Sequence, residues 1–294
     1  MTDARIDLHL HSHHSDGSES PAVVVQTAHE LGIDVVALTD HDTTAGWDEA
    51  RRECDRWGMS FVPGIELSAS VPGGSVHVLA YGPDPRNADL SATCARIRES
   101  RESRIDRMID AVTVDYPEVT RELVYSFVQS GATLGRPVIA RALVSVGIVE
   151  TVDAAFASIL APGSSYYATH FAPSVTEAIG LIRAAGGVPI MAHPWTEGRT
   201  SMVFEEKGDD AVFALFADLK AAGLAGLEID HTENTARGIE RMREFARRLD
   251  FIVTGSSDYH GRGMKTVMPG ARTTAPDMLD RIVAEATGTP ITIR

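Results

Sequence analysis

A chain of 294 residues, 44% hydrophobic and 23% charged, has room for one large domain or one domain carrying an insertion, and its composition excludes disordered and low-complexity classes. No apolar run approaches the roughly 18 residues of a membrane span, and Met1-Thr2-Asp3-Ala4-Arg5 does not read as a secretory signal. Two cysteines, Cys54 and Cys94, stand in no paired motif, so a reduced, cytoplasmic compartment is expected. A formal net charge of −14 repels a phosphate backbone and argues against a long nucleic-acid partner.

The first 80 residues alternate strand and helix signals. Ile6-Asp7-Leu8-His9-Leu10 alternates as a short strand, and Ser20-Pro21 caps a helix running to about Leu31-Gly32. Asp34 to Thr39 reads as a buried strand, and 45–57 as a helix ended by Gly58. Strands follow at Phe61 to Glu66 and Val76 to Tyr81, with Pro72-Gly73-Gly74 as the turn between them. From Leu90 to about Leu160 the spacing is helical, with further helices at 118–130, 136–146 and 152–160. Residues 89–147 hold eight arginines and eight acids, so the whole −14 lies outside them. This reads as a helical insertion over 89–164, closed by Ala161-Pro162-Gly163 and capping the site of a barrel built from 1–88 and 165–294. The alternation then resumes: helix 174–185, strand 188–192, helix 209–222, strand 226–230, helix 233–248, strand 251–254 and helix 276–287. Seven strands with helices between them predict an α/β fold with a largely parallel sheet. No Gly-x-Gly-x-x-Gly follows the first strand, so a closed barrel is favoured over an open dinucleotide-binding sheet.

Acid or imidazole groups stand at six strand ends: His9-Leu10-His11 with Asp16, Asp40-His41-Asp42, Glu66, His193, Asp230-His231 and Asp258-Tyr259-His260. In barrels of this class the active site is built at the C-terminal face from such ends. His9 and His11 share one side of an extended strand, as do Asp258 and His260. A hairpin centred near Pro72-Gly73 pairs position 66 with about 77 or 79, which brings His77, taken as a strand start, beside Glu66. Imidazole with carboxylate suits Zn, Mn or Fe, and a carboxylate such as Glu66 can bridge two ions. The expected chemistry is a metal-activated hydroxide attacking phosphorus or carbonyl carbon.

These runs resemble the polymerase and histidinol phosphatase (PHP) superfamily: His9-Leu10-His11 with Ser15-Asp16-Gly17, Thr39-Asp40-His41-Asp42, Gly64-Ile65-Glu66, Val76-His77, Ala192-His193-Pro194 and Gly255 to His260. The resemblance implies a distorted seven-stranded barrel holding two or three divalent ions. One ion would take His9, His11, Glu66 and Asp258. A second would share Glu66 and add His77 and His193. A third would use Asp16, His41 and His260. Gly135-Arg136-Pro137-Val138-Ile139-Ala140 is similar to the inserted domain of the stand-alone phosphoesterases, with Val138 where that run usually carries His. Relatives of this kind remove the 3′-phosphate from nucleoside 3′,5′-bisphosphates, and some trim short 5′-phosphorylated RNA.

Asp40 is expected to orient a metal-bound imidazole rather than ligate. His231 is a candidate to contact substrate or protonate the leaving group, and His170, where the chain returns to the barrel, is another. His13, His14 and His29 are expected to be solvated or structural. Arg136, at a predicted helix start, is the first choice of phosphate binder. Arg101 lies on the apolar stripe between Ile97 and Ile105, so it either snorkels to solvent or faces the cleft. Lys265 has a similar claim. Trp195, Tyr166 and Tyr167 could stack on a base, although packing accounts for each singly. The function expected is a metal-dependent phosphoesterase acting on small nucleotide phosphates or short oligoribonucleotides. The alternatives are a histidinol-phosphate phosphatase, a polymerase accessory domain and a non-enzymatic metal-binding module; metal-dependent amide hydrolysis lacks a bridging lysine at a strand end.

Overall fold

The structure is a computed structural model, and it describes residues 4–72, 74–128, 135–161, 163–197 and 200–294. Gly73 and Pro162, both in predicted turns, and the end of the helix predicted over 118–130 lie outside the described residues. The chain divides into two compact units, Met1–Cys94 with Ala172–Arg294, and Ala95–Phe171.

The first unit carries seven strands: β1 (Ile6–Leu10), β2 (Val35–Leu38), β3 (Ser60–Val71), β4 (Gly74–Tyr81), β5 (Val188–Met191), β6 (Gly226–Asp230) and β7 (Ile252–Gly255). They form one sheet in sequence order. β4 runs antiparallel to both neighbours, and the other pairs are parallel. The segment after β7 returns to β1: Leu10 bridges Tyr259, and the His11 amide donates to the Tyr259 carbonyl at 2.8 Å. The sheet is thus a nearly closed seven-stranded α/β barrel.

Helices α1 (Pro21–Glu30), α2 (Trp47–Trp57), α7 (Val175–Ala184), α9 (Asp209–Ala221), α10 (Ala236–Leu249) and α11 (Pro276–Glu285) lie between or after the strands. Their ends follow local chemistry. Ser20 caps α1 ahead of Pro21, Ser174 and Glu177 form a reciprocal capping box on α7, and Gly58 ends α2 in the left-handed region. A buried core of Ile6, Leu8, Val35, Ala37, Val62, Leu79, Val188 and Ile190 is sealed by Leu279 and Ile282 of α11.

Helix α3 (Ala88–Asp115) runs from the first unit into the second, which also holds α4 (Arg121–Ser126), α5 (Arg136–Ser145) and α6 (Val152–Ala157). That second unit has its own core, including Ile105, Met108, Val112, Val138, Ile139 and Leu143. One further helix, α8 (Thr200–Lys207), falls where the sequence pattern predicts none. Among the described residues no helix is long and apolar enough to cross a membrane.

Two irregularities shape the barrel mouth. From Asp7 to Leu10 β1 advances three residues while its partner advances only from Val36 to Leu38. From Glu228 to Asp230 β6 advances two while β7 moves from Thr254 to Gly255. Each is an extra residue in one strand, which bends it and re-aims the side chains beyond.

Candidate metal centre

His9, within the β1 bulge, and His11, just past it, turn to a common point. Their Nε2 atoms lie 3.0 Å apart, and each lies 3.1 Å from Glu66 Oε2. Asp258 Oδ1 completes the group, 3.4 Å from His9 Nε2 and 3.2 Å from His11 Nε2. All four side chains are buried.

Glu66 reaches further. The hairpin register pairs Glu66 with Leu79 and Ser68 with His77, so His77 is the diagonal neighbour of Glu66. His77 Nδ1 lies 2.8 Å from Glu66 Oε1. It stands four residues into β4 rather than at a strand start, because β3 continues to Val71 and the hairpin is longer than its apolar runs suggest. His193 Nε2 lies 3.2 Å from the same Oε1, and His41 Nδ1 lies 3.3 Å from Oε2. One carboxylate therefore faces five imidazoles. On the other side of His41, its Nε2 lies 3.6 Å from Asp16 Oδ2, and His260 Nε2 lies 3.3 Å from Asp16 Oδ1.

Three overlapping donor groups result among the described residues: His9, His11, Glu66 and Asp258; His41, Glu66 and His77; and His11, Asp16, His41 and His260. The first matches the set implied by the resemblance. The third adds His11 to the implied one. In the second, His41 stands where His193 was expected, while His193 shares the Glu66 oxygen that His77 faces.

Hydrogen bonding alone does not explain this arrangement. An imidazole nitrogen carries one proton or one lone pair, yet His9 Nε2 faces His11, Glu66 and Asp258 at once. His41 Nδ1 and His77 Nδ1 are buried without a hydrogen-bond partner although Glu66 is adjacent. Donors held about 2.0–2.2 Å from one ion lie roughly 3.0–3.5 Å from each other, and the first group's spacings of 3.0–3.4 Å fall in that range. The donor set fits a divalent cation.

The electrostatics agree. Burial works against charge on His9, but Glu228, Glu66 and Asp258 outweigh it and raise its pKa well above the ordinary value. His11 is likewise raised to about 10: burial opposes the charge, and hydrogen bonds to Asp258 and Glu66 favour it. Burial would raise the carboxyls of Glu66 and Asp258, yet the surrounding imidazoles hold both well below the carboxylate range. His41 moves the other way, because burial outweighs its acidic neighbours.

Two ligand positions carry backbone strain. His193 has φ 25° and Asp258 φ 53°, left-handed values that an L side chain adopts at a cost. Buried carboxylates brace the loops. Asp40 accepts from the Ser12 amide and hydroxyl, both at 2.7 Å, and from Ser15 Oγ at 2.7 Å; Ser15 Oγ lies 3.3 Å from His11 Nδ1. Asp40 thus acts on an imidazole through a serine. Asp42 accepts from the Ser68 amide and hydroxyl.

Two further braces escape sequence reading. Asp7, pushed by burial up to about 6, accepts from the amides of Ser257 and Gly270. Glu228 is fully buried, with Oε1 2.9 Å from His9 Nδ1 and Oε2 accepting the His193 amide at 2.9 Å. Burial opposes its charge, but His9 holds its carboxyl down to about 2. The β6 bulge sends the neighbouring acid, Asp230, outward to Arg243 at 2.6 Å. An acid inside a strand otherwise reading Gly-Leu-x-Ile was the available signal.

His231 is buried at the end of β6. Its Nδ1 accepts the Glu233 amide at 3.2 Å, which leaves the ring proton on Nε2, buried without a partner and 3.7 Å from Asp258 Oδ2. Lys265 gives its ammonium to Asp258 Oδ2 at 2.6 Å and Glu233 Oε1 at 3.1 Å, so its charge is engaged by carboxylates. His13 and His14 are exposed, and His29 stacks on Trp57. Trp195 is buried against Phe204 in the core.

Arg101, Arg136 and His170 belong to the second unit. Arg101 is half-buried. Arg136 opens α5, donates to the Leu160 carbonyl at 3.2 Å and lies over the rings of Phe156 and Tyr167. Arg104 lies over the same Tyr167 ring, and its Nη2 is buried without a partner. Val138 sits in that unit's apolar core.

The chain as a whole is similar to known proteins. The PHP domain model matches residues 7–125. A 3′,5′-nucleoside bisphosphate phosphatase of Chromobacterium violaceum is 32% identical over 88% of this chain and 88% of its own. A 5′-3′ exoribonuclease of Haemophilus influenzae is 29% identical over 87% of this chain and 90% of its own. A solved structure from Bifidobacterium adolescentis, provisionally named a metal-dependent phosphoesterase, superposes with a TM-score of 0.80 at 36% identity, covering 98% of each chain. The family model's span takes in His9, His11, Asp16, His41, Glu66 and His77, and with these relatives it shows that this chain belongs to the PHP domain family.

Proposed function

We propose that this chain is a metal-dependent phosphoesterase that releases the 3′-phosphate of nucleoside 3′,5′-bisphosphates and also accepts short 5′-phosphorylated RNA. The observation that carries the reading is the sharing of Glu66 between two donor groups, with a third group adjoining through His11 and His41. His9, His11, Glu66 and Asp258 would hold one ion, Glu66 with His77 and His193 a second, and Asp16, His41 and His260 a third. Two or three divalent ions, Mn, Fe or Zn, are expected. Bound there, they supply Lewis acidity that activates water and neutralises phosphoryl oxygens.

The chain's own residues do the rest. Glu66 and Asp258 keep their negative charge in a buried setting, which favours cations over neutral ligands. His231 is the candidate to protonate the leaving alkoxide, acting as the imidazolium, since a neutral ring that gave up its Nε2 proton would be left as an imidazolate. Asp40 holds the 12–15 loop so that His11 and Asp16 keep their places. Arg101 and Arg136 are the candidate phosphate binders, and His170 a further substrate contact. Lys265 acts through Asp258 rather than as a free cation. A cytoplasmic setting suits a nucleotide substrate.

The test is turnover by purified protein supplied with Mn²⁺, read as phosphate release from adenosine 3′,5′-bisphosphate and histidinol phosphate and as mononucleotide release from a short 5′-phosphorylated RNA, all at equal concentration. The reading requires the bisphosphate or the RNA to be preferred by at least about tenfold, a difference of 1.4 kcal/mol. Turnover confined to histidinol phosphate would overturn the substrate class.

A further inference from the structure

We infer that Glu228 is a positioning residue of the metal centre, holding His9 in the tautomer whose Nε2 lone pair faces the other donors and fixing His193 through its backbone amide. This rests on the metal-centre reading above.

Glu228 sits on β6 and touches the ends of three other strands. Oε1 faces His9 Nδ1 at 2.9 Å and accepts from Ser256 Oγ after β7; Oε2 accepts from the His193 amide after β5. A carboxylate only accepts. His9 must therefore carry its proton on Nδ1, which leaves Nε2 free to ligate beside His11, Glu66 and Asp258. A carboxylate behind a metal-bound imidazole typically orients it and raises its basicity. The His193 amide bond acts at a second ligand position, where φ is 25° and the backbone would otherwise relax. One residue thus constrains two of the imidazoles facing Glu66.

The substitution Glu228→Gln keeps size and shape but cannot meet all three donors. With its oxygen toward His9 and Ser256, its NH₂ opposes the His193 amide. With its oxygen toward His193, its NH₂ donates to His9 Nδ1 and drives the His9 proton to Nε2, where it blocks ligation. Either orientation damages one ligand. Ser256→Ala is the comparison, because it removes one donor from the same carboxylate and leaves both histidine contacts in place.

The experiment measures Zn²⁺ affinity by competition with a chromogenic chelator for wild type, E228Q and S256A. Alongside it, the His9 tautomer is read from ¹⁵N-histidine spectra of the Zn²⁺-loaded wild type. The inference expects a 10- to 100-fold loss of affinity in E228Q, less than about threefold in S256A, and a proton on His9 Nδ1. E228Q affinity within threefold of wild type would overturn it, as would an S256A loss as large as that of E228Q. A proton on His9 Nε2 would also overturn it, and that measurement decides the matter even if E228Q does not fold. Wild-type protein that binds no Zn²⁺ would instead overturn the metal-centre reading on which the inference stands.

Discussion

Glu66→Gln is the sharpest perturbation of the centre. The residue is 1% exposed, and its two oxygens face His9, His11 and His41 on one side and His77 and His193 on the other. The amide has nearly the same shape, so the backbone and the hairpin register should persist. What changes is charge and lone pairs: one negative charge leaves two donor groups at once, and an NH₂ replaces one of the two ligating oxygens. Loss of a residue that merely orients a ligand costs about 10- to 100-fold in metal affinity. Loss of a shared ligand should cost more than 100-fold, at least about 2.7 kcal/mol. The group of His11, Asp16, His41 and His260 does not contain Glu66 and should keep its ion. The assay is metal content by mass spectrometry after dialysis, with chelator competition for affinity and phosphate release from adenosine 3′,5′-bisphosphate for turnover. E66Q should retain about one ion and lose turnover by at least a hundredfold. A variant that binds as many ions as wild type, with affinities within tenfold, would refute the sharing of Glu66.

Four further outcomes follow from the same geometry. His9→Ala or Asp258→Ala should abolish turnover while circular dichroism stays that of the wild type; wild-type turnover in either pure variant would remove the first donor group from the mechanism. His231→Gln should lower kcat by about 100-fold, in the range expected of a lost proton donor, with metal content unchanged, and a normal kcat would assign protonation elsewhere. In protein stripped of metal, His11 has a folded pKa of about 10 against an ordinary 6.5, so its contribution to stability is complete below pH 6.5 and is lost as pH rises through 10. Melting temperature should therefore fall across that window without metal and stay flatter with it, because a ligating imidazole is already deprotonated; equal slopes would contradict the pairing. Gly238→Ala should destabilise the protein by about 1–3 kcal/mol in chemical denaturation, since a Cβ there meets the buried Trp195 ring.

Much of the fold is legible because the sequence is locally consistent. Val35 to Leu38 and Val188 to Met191 are short apolar runs with room only for buried strands, and capped helices separate them. The donor residues are legible because spacing does the work: His9 and His11 at i, i+2, and a hairpin that folds His77 back on Glu66. The remainder depends on features that have no sequence period. Helix α8, Thr-Ser-Met-Val-Phe-Glu-Glu-Lys, shows no apolar stripe at helical spacing. Glu228 and Asp230 would share one face of a regular strand, but the β6 bulge turns Asp230 outward, so the strand-end rule singles out Asp230 where Glu228 is the buried one. Lys265 looks like a phosphate ligand until the fold sets Asp258 and Glu233 against its ammonium.

The braces give the acidic composition a structural meaning. Asp7, Asp40, Asp42 and Glu228 are buried, and each accepts at least two hydrogen bonds, from backbone amides and from side chains in or beside the segments that carry the ligands. Burying four carboxylates is costly unless each is satisfied. An apolar residue at any of these positions would avoid that cost but could not hold a loop amide or an imidazole nitrogen in place. Metal ligation tolerates errors of only a few tenths of an ångström, and loop backbone held by packing alone does not deliver that. Brace and ligand also stand close in the chain at two places: Asp7 lies two residues before His9, and Asp40 and Asp42 flank His41. A strand that presents a ligand at one position and its support a residue or two away couples the two through a single backbone. Part of the formal −14 is therefore not surface charge. It is the buried anionic frame that holds three donor groups in register.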